Sequence, residues 1–307
     1  VSWPRVRALE DIMPSRRELL LTVAAGLAAP AMASMRAFAQ PRGEIKTALN
    51  GTIGLQLWSL RKSLPTNLTE TIAKVQAMGF RTVEAAGLWK HTVAEQRAAL
   101  DAAGLRCLSA HFGLDRLSKD RDGAFAEAKA LGATWIVCPW IPKEGNAVTR
   151  EQMLSAADAF NAIAKAAKEV DLHFGYHCHG YEFVPAPEGM LFDTLARNTD
   201  AALVTFQIDV FHALLGGADP VALIEKFGSR VSSLHLKDLK KGFPIKAGTA
   251  IAPAEADVPL GTGQVDMTSV LRMAMKSGVS QYYIEDESDD PIGHIPQSVT
   301  FLERFSS

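Results

Sequence analysis

The sequence lacks the marks of several protein classes. Its three cysteines, Cys107, Cys138 and Cys178, are an odd number without paired spacing. That argues against a disulfide framework or a cysteine-held zinc cluster. Neither sign of charge is in excess: 32 Lys and Arg face 34 Asp and Glu, for a net charge of −2. With a pI near 6.5 the chain has no electrostatic footprint for nucleic acid or an anionic membrane. No Gly-x-Gly-x-x-Gly follows the first candidate strand, where Leu60-Arg61-Lys62 stands instead, and no Walker-type sequence occurs. The 23 glycines and 15 prolines show no collagen-like repeat. At 48% hydrophobic and 21% charged, the composition is that of an ordinary globular protein and excludes a disordered chain. Its 307 residues suffice for one barrel-sized domain or two smaller ones.

The segment from Met13 has the order of an export signal. Arg16 and Arg17 form a charged region, Leu19 to Ala29 an apolar stretch too short to span a membrane, and Ala31/Ala33 and Ala37/Ala39 give the small-x-small spacing of a cleavage site. The paired arginines after Ser15 resemble a twin-arginine (Tat) signal. Residues 1–12 read as an extension ahead of a natural start at Met13. Cleavage after Ala39 would leave a chain from Gln40 of about 250 or more residues, the size of a single (β/α)8 barrel. The expected organisation is therefore an extension and signal over 1–39, a linker over 40–51 and a barrel over 52–307. The expected location is periplasmic or secreted, with no membrane span left after cleavage.

From residue 52 onward, short β-rich runs alternate with helical segments, the pattern of βα units on a parallel sheet. Strands are predicted over 53–59, 82–86, 105–112, 134–139, 172–178, 203–210, 231–236 and 281–285. Eight such units are what a closed barrel needs, whereas an open doubly wound sheet more often stops at five or six strands. The predicted fold is a single α/β TIM barrel. One connection, residues 239–265, is rich in Lys, Gly, Ala and Pro without a clear period. It follows the seventh strand, so it lies on the face where barrel enzymes keep their sites and could cover the mouth as a lid.

Ionisable residues interrupt the apolar strands at one end. Strand five runs into His177-Cys178-His179-Gly180-Tyr181-Glu182 and strand six into Asp209, with Phe211-His212 beyond. Strand seven ends His235-Leu236-Lys237-Asp238 and strand eight Glu285-Asp286-Glu287. Any one of these alone reads as a solvated strand end. Four in succession bring like charges close enough to require a cation. Carboxylates with imidazole suit Mn, Mg, Co or Zn. His111, ending strand three, is either a substrate contact or a structural histidine, and Glu84, ending strand two, lines the mouth or pairs with an arginine. Trp58, Trp89 and Trp140 follow strands one, two and four, as an aromatic wall for a sugar or as rim packing. His91, His173 and His294 read as peripheral, and Cys178 points away from its flanking histidines.

The stretches His177–Phe183, Ile208–His212, His235–Asp238, Leu260–Asp266 and Tyr283–Glu287 together resemble the sugar phosphate isomerase/epimerase proteins. These are xylose isomerase-like TIM barrels, which also include inosose dehydratases, ketose 3-epimerases and endonuclease-IV-type enzymes. The resemblance covers residues 52–305 and is densest after 170. It implies one divalent metal ion, manganese by preference with Mg, Co or Zn as alternatives, held by Glu182, Asp209, His235 and Glu285. It sets His177, His179, His212 and Lys237 toward the substrate. Many relatives carry the first metal carboxylate within strand five, where this chain has His177. Either Glu182 reaches in from the following loop or His177 is itself the ligand; a hard cation's preference for oxygen favours Glu182.

The implied enzyme acts on an unphosphorylated sugar, keto-sugar or 3-keto-glycoside. It would remove the proton α to a carbonyl and stabilise the resulting enediolate with the metal, Glu285 and Glu182, or His177, being the bases on opposite faces. Return of the proton gives an epimerase or isomerase; loss of a β-substituent gives a lyase or dehydratase. Lys237 would hold a developing oxyanion or form a rim ion pair with Asp238. The rivals are endonuclease-like phosphodiester cleavage, opposed by the pI, and a non-catalytic periplasmic carbohydrate-binding barrel. The sequence leaves open whether the chain forms a homo-oligomer.

Overall fold

Alternate residues of the strands meet two environments. A computed structural model of the chain describes residues 42–143, 147–187 and 189–306, so the expected extension and signal at 1–39 lie outside the described residues. Eight strands pair in parallel: β1 (Thr52–Gln56), β2 (Thr82–Ala85), β3 (Arg106–His111), β4 (Trp135–Cys138), β5 (His173–His177), β6 (Val204–Asp209), β7 (Val231–Leu236) and β8 (Gln281–Ile284). β8 pairs back with β1 and closes the barrel. Among the described residues no helix is long and apolar enough to cross a membrane.

One phase of each strand is apolar and packs under the helices. Phe174 and Tyr176 of β5 meet Phe160 of the helix Arg150–Lys168 at 5.3 and 5.1 Å between ring centroids. That helix buries Met153, Ala156, Phe160, Ile163 and Ala167, spaced three to four apart as one helical face requires. Its start is fixed by Thr149 and Gln152, which bond reciprocally to each other's backbone N–H. The other strand phase turns inward, and here Gln56, Glu84, Gln207 and Ser233 replace the branched aliphatic layer usual in such barrels. The register shifts at Val83/Glu84 and again at Phe206/Gln207, so both of these inward polar residues sit at irregularities that re-aim a side chain.

Two expectations need correction. β1 ends at Gln56 and not at residue 59, because the Gln56 side chain accepts the Trp58 N–H at 3.1 Å and starts the 3-10 turn Leu57–Leu60. Residues 42–51, expected as a linker, belong to the barrel unit. The Arg42 N–H donates to the Ala77 carbonyl, its guanidinium reaches the Pro296 carbonyl and Glu303, and Leu49 is buried.

The long connection after β7 is tied down. Asp238–Leu239 and Asp257–Val258 form an antiparallel ribbon, and the Asp238 carboxylate accepts N–H groups from Gly261, Gly263 and Val265. The loop leans on the one after β5 so closely that a Cβ on Gly180 would lie 1.6 Å from the Thr249 carbonyl oxygen. Gly180→Ala must push these loops apart. Its expected cost is about 1–3 kcal/mol, the range for overpacking, read as a lower midpoint in urea; an unchanged midpoint would show the two loops to be independent.

Candidate active site

The floor of the mouth is built around Glu84. Fully buried, it accepts hydrogen bonds from Gln56 Nε2 at 2.8 Å, Gln207 Nε2 at 2.9 Å and His235 Nε2 at 2.5 Å, and lies 3.1 Å from His111 Nε2. Burial alone would raise this carboxyl, but the imidazoles of His111 and His235 hold it well below the usual range. With its NH2 committed to Glu84 and to Ser233 Oγ, Gln207 must offer its carbonyl oxygen to His111 Nε2 at 3.0 Å and His177 Nδ1 at 2.9 Å. Those nitrogens therefore carry protons. His177 keeps the lone pair of Nε2.

His235 links this floor to the site above. Its Nδ1 lies 2.9 Å from Glu285 Oε2 and 4.0 Å from Asp209 Oδ2. Burial opposes a charge on the ring, yet Glu84 and Glu285 raise it to about 10. Donor atoms of Asp209, His235 and Glu285 lie within 4.8 Å of one another, all three residues buried. Asp209 Oδ1 caps the turn by accepting the His212 N–H at 2.9 Å, while Oδ2 is buried without a partner. Burial lifts the Asp209 carboxyl to about 6. Two carboxylates, one with an orphaned oxygen, beside an imidazole whose far nitrogen is held by Glu84, fit a divalent ion. His111, His177 and His235 form a second group of equal spread, already bonded internally through Gln207 and Glu84.

A cavity of about 570 Å³ opens above these groups, lined by His111, His177, His179, His212, Glu285 and Glu287 among others. Burial pushes His177, His179 and His212 well below the usual imidazole range, so all three are neutral at pH 7. Nδ1 of His179 and Nδ1 of His212 are buried with no partner. An orphaned lone pair is cheaper than an orphaned N–H, so both rings carry the proton on Nε2. The cavity thus meets one imidazole acceptor, His177, and two imidazole donors. Lys237 is buried behind Phe211, bonded to Glu287 and 3.8 Å from Glu285 Oε2. Burial would raise the Glu287 carboxyl, but Lys237 holds it near 2.

The structure brings together Asp209, His235, Glu285, His177, His179, His212, His111 and Lys237. It sets Glu182 apart. Glu182 Oε1 accepts the Tyr176 O–H at 2.5 Å and the His179 N–H at 2.8 Å, and Tyr176 faces the helices, outside the barrel wall. The expected Glu182 ligand and base is thus a support for the loop that carries His179, and His177 occupies the fifth-strand position. Lys237 pairs with Glu287 and not with Asp238, whose carboxylate is filled by backbone N–H groups. Trp58 and Trp140 line the cavity, and Trp89 packs on Trp58 at 5.5 Å. Gln56, Gln207 and Glu287 went unassigned in the sequence. The available signal was amide and carboxylate residues in the same inward phase as Asp209 and Glu285.

Fold and site define a class: a closed (β/α)8 barrel with a carboxylate–imidazole cluster at the C-terminal mouth. The family model described as Xylose isomerase-like TIM barrel matches residues 72–305, and the chain belongs to that family. Inosose dehydratase of Geobacillus kaustophilus (strain HTA426) is 24% identical over 252 residues, 72% of this chain and 80% of that protein. A sugar phosphate isomerase/epimerase from Parabacteroides distasonis superposes with a TM-score of 0.69 at 21% identity, over 86% of this chain and 97% of that one. The IolI protein, solved with a zinc atom bound, gives 0.63 at 14% identity, over 83% and 99%.

Two predictions follow from the geometry. Glu84 keeps the His235 Nε2 proton in place, so that an ion need displace only the Nδ1 proton that faces Glu285; in Glu84→Gln the amide can donate to Nε2 instead, which leaves the ring proton on Nδ1 and blocks that site. Divalent-ion affinity should fall about 10- to 100-fold, measured by competition with a chelating dye; unchanged affinity would remove Glu84 from this role. Glu182 concerns stability. Burial raises its carboxyl from 4.5 to about 7, against the Tyr176 and His179 donors. The folded state therefore holds a proton that the unfolded chain releases. The associated stability is complete below pH 4.5 and is lost as pH rises through about 7, by about 3 kcal/mol. Urea midpoints between pH 5 and 8.5 should fall more steeply in the wild type than in Glu182→Gln, the contributions of Asp209 and His235 being common to both, and the difference between the two profiles gives this loss.

Proposed function

We propose that the protein is a divalent-metal-dependent lyase that removes the proton α to the carbonyl of an unphosphorylated keto-sugar and expels the β-substituent. The observation that carries this reading is the Asp209–His235–Glu285 cluster, with its orphaned oxygen, on the cavity floor. Asp209, His235 and Glu285 would hold the ion, with His177 Nε2 as the nitrogen donor from β5. When bound, such an ion polarises a carbonyl and neutralises charge developing on its oxygen. The chain's own groups supply the rest. Glu285, at the border of cluster and cavity, accepts the α-proton; His179 and His212 donate N–H to substrate oxygens; buried Lys237 keeps Glu287 anionic.

Elimination is favoured over epimerisation because the carboxylates stand on one side. Epimerisation by two bases uses a second acceptor across the ring; Glu182, expected there, is turned behind the wall, and the other candidate, His177 Nε2, is the nitrogen assigned to the ion in this reading. The similarity to inosose dehydratases supports the same choice. The low cation content of the lining supports an unphosphorylated substrate: among the described lining residues Arg61 is the one cation, and it donates to the Trp58 and Glu287 carbonyls. Export rests on the sequence pattern of residues 13–39 alone.

Metal analysis of the purified protein should find about one Mn, Co, Mg or Zn per chain, lost in Asp209→Ala. Glu285→Gln should keep the fold and lower turnover about 10²- to 10⁴-fold, the usual worth of a proton-transfer group. In D2O, elimination gives an unsaturated ketone, whereas recovery of substrate or epimer with deuterium at the α-carbon would establish the epimerase instead. A protein that takes up no metal is a binding barrel.

A further inference from the structure

The cavity has two unlike halves. Its polar half is the imidazole and carboxylate floor just described. The other half is Trp58, Trp140, Phe211 and the run Ala250-Ile251-Ala252-Pro253-Ala254 from the connection after β7. That run offers no hydrogen-bonding side chain. The remaining polar residues of the lining, Arg61 and Asp257, are both turned to Glu287: Arg61 donates to its carbonyl at 3.0 Å, and Asp257 accepts its N–H through Oδ2 at 2.8 Å, with Oδ1 buried and without a partner. Ile251 is 63% exposed and Trp58 40% exposed, so apolar surface stands at the entrance without a covering partner.

Volume points the same way. A hexose has twelve non-hydrogen atoms, and even at the roughly 30 Å³ a water molecule occupies in the liquid they would leave about a third of the cavity unfilled. A second sugar there would leave hydroxyls facing alanine, isoleucine and proline, with their hydrogen bonds to water lost. A flat apolar ring loses nothing by the same transfer and stacks on the indoles.

We propose that the apolar half is a leaving-group subsite and that the substrate is a keto-glycoside with an aromatic aglycone. This rests on the elimination reading above. The α C–H bond breaks with its proton going to Glu285, and its electron pair forms the new carbon–carbon double bond. The bond from the β-carbon to the linking oxygen breaks, its pair staying on oxygen. The aglycone departs as a phenolate that takes a proton from water, and no oxidant or reductant is consumed.

The test uses the full-length, manganese-loaded protein with phenyl and methyl β-glucosides for binding, and their 3-oxo forms for turnover. Indole fluorescence should report phenyl glucoside binding about 10- to 100-fold tighter than methyl glucoside, as burial of one aromatic ring requires. Ala252→Asp should remove at least tenfold of that preference and Ile251→Ser part of it, with methyl glucoside binding unchanged in both. No phenyl preference, or tighter binding of a glucose disaccharide, overturns the subsite whether or not the oxo-sugars react. A phenyl preference in binding with neither oxo-glucoside turned over upholds the subsite and removes the elimination reading.

Discussion

The hydrogen bond between Glu84 and His235, at the centre of the barrel, is the constraint on which the site depends. A carboxylate with no exposure to water is tolerable only when donors surround it, and Glu84 has them from Gln56, Gln207 and His235, with His111 beside it. The same bonds decide which nitrogen of each imidazole carries a proton. His235 commits Nε2 downward and turns Nδ1 to Asp209 and Glu285, while Gln207 does the equivalent for His177. The chemical character of the mouth is thus set one layer below it, by residues with no access to the cavity.

Charge is divided by the same principle. Of the carboxylates at or near the mouth, four illustrate how different their environments are. Glu287 is held ionised by Lys237, Asp209 is raised by burial with one oxygen orphaned, Glu285 shares His235, and Glu182 is taken out of the cavity by Tyr176. Neutral imidazoles fill the side that Glu182 leaves. The result is a cavity in which carboxylates and neutral imidazole donors stand side by side, His212 Nε2 lying 4.0 Å from both Asp209 Oδ2 and Glu287 Oε2.

The connection after β7 gives the site its second character. Its ribbon and the Asp238 cradle hold it in place, and the contact of Gly180 with Thr249 presses it against the loop that carries His179. The chain segment that bounds the apolar half of the cavity is therefore coupled to the segment that supplies a donor on the polar half.

The sequence by itself determined the eight-fold alternation, the closed barrel, the end at which the site lies and most of its members. These are local properties: strand period, turn residues and polar residues at strand ends are written in consecutive positions. Asp209, His235 and Glu285 were legible because each stands within one residue of its strand's end, in the inward phase. Tertiary structure alone decided the rest. Glu182 follows a bend at 178–181 that breaks the strand's period, so no counting of residues tells which side of the wall it takes. Gln207 looked like one more polar residue until its partners, 123 and 96 positions away at Glu84 and His111, came within 3 Å. The 239–265 connection had no period to read, since an irregular loop is shaped by what it lies against. Which atoms carry protons, which carboxylate faces the cavity and how wide the cavity is are properties of distances across the barrel, and those exist only once it has closed.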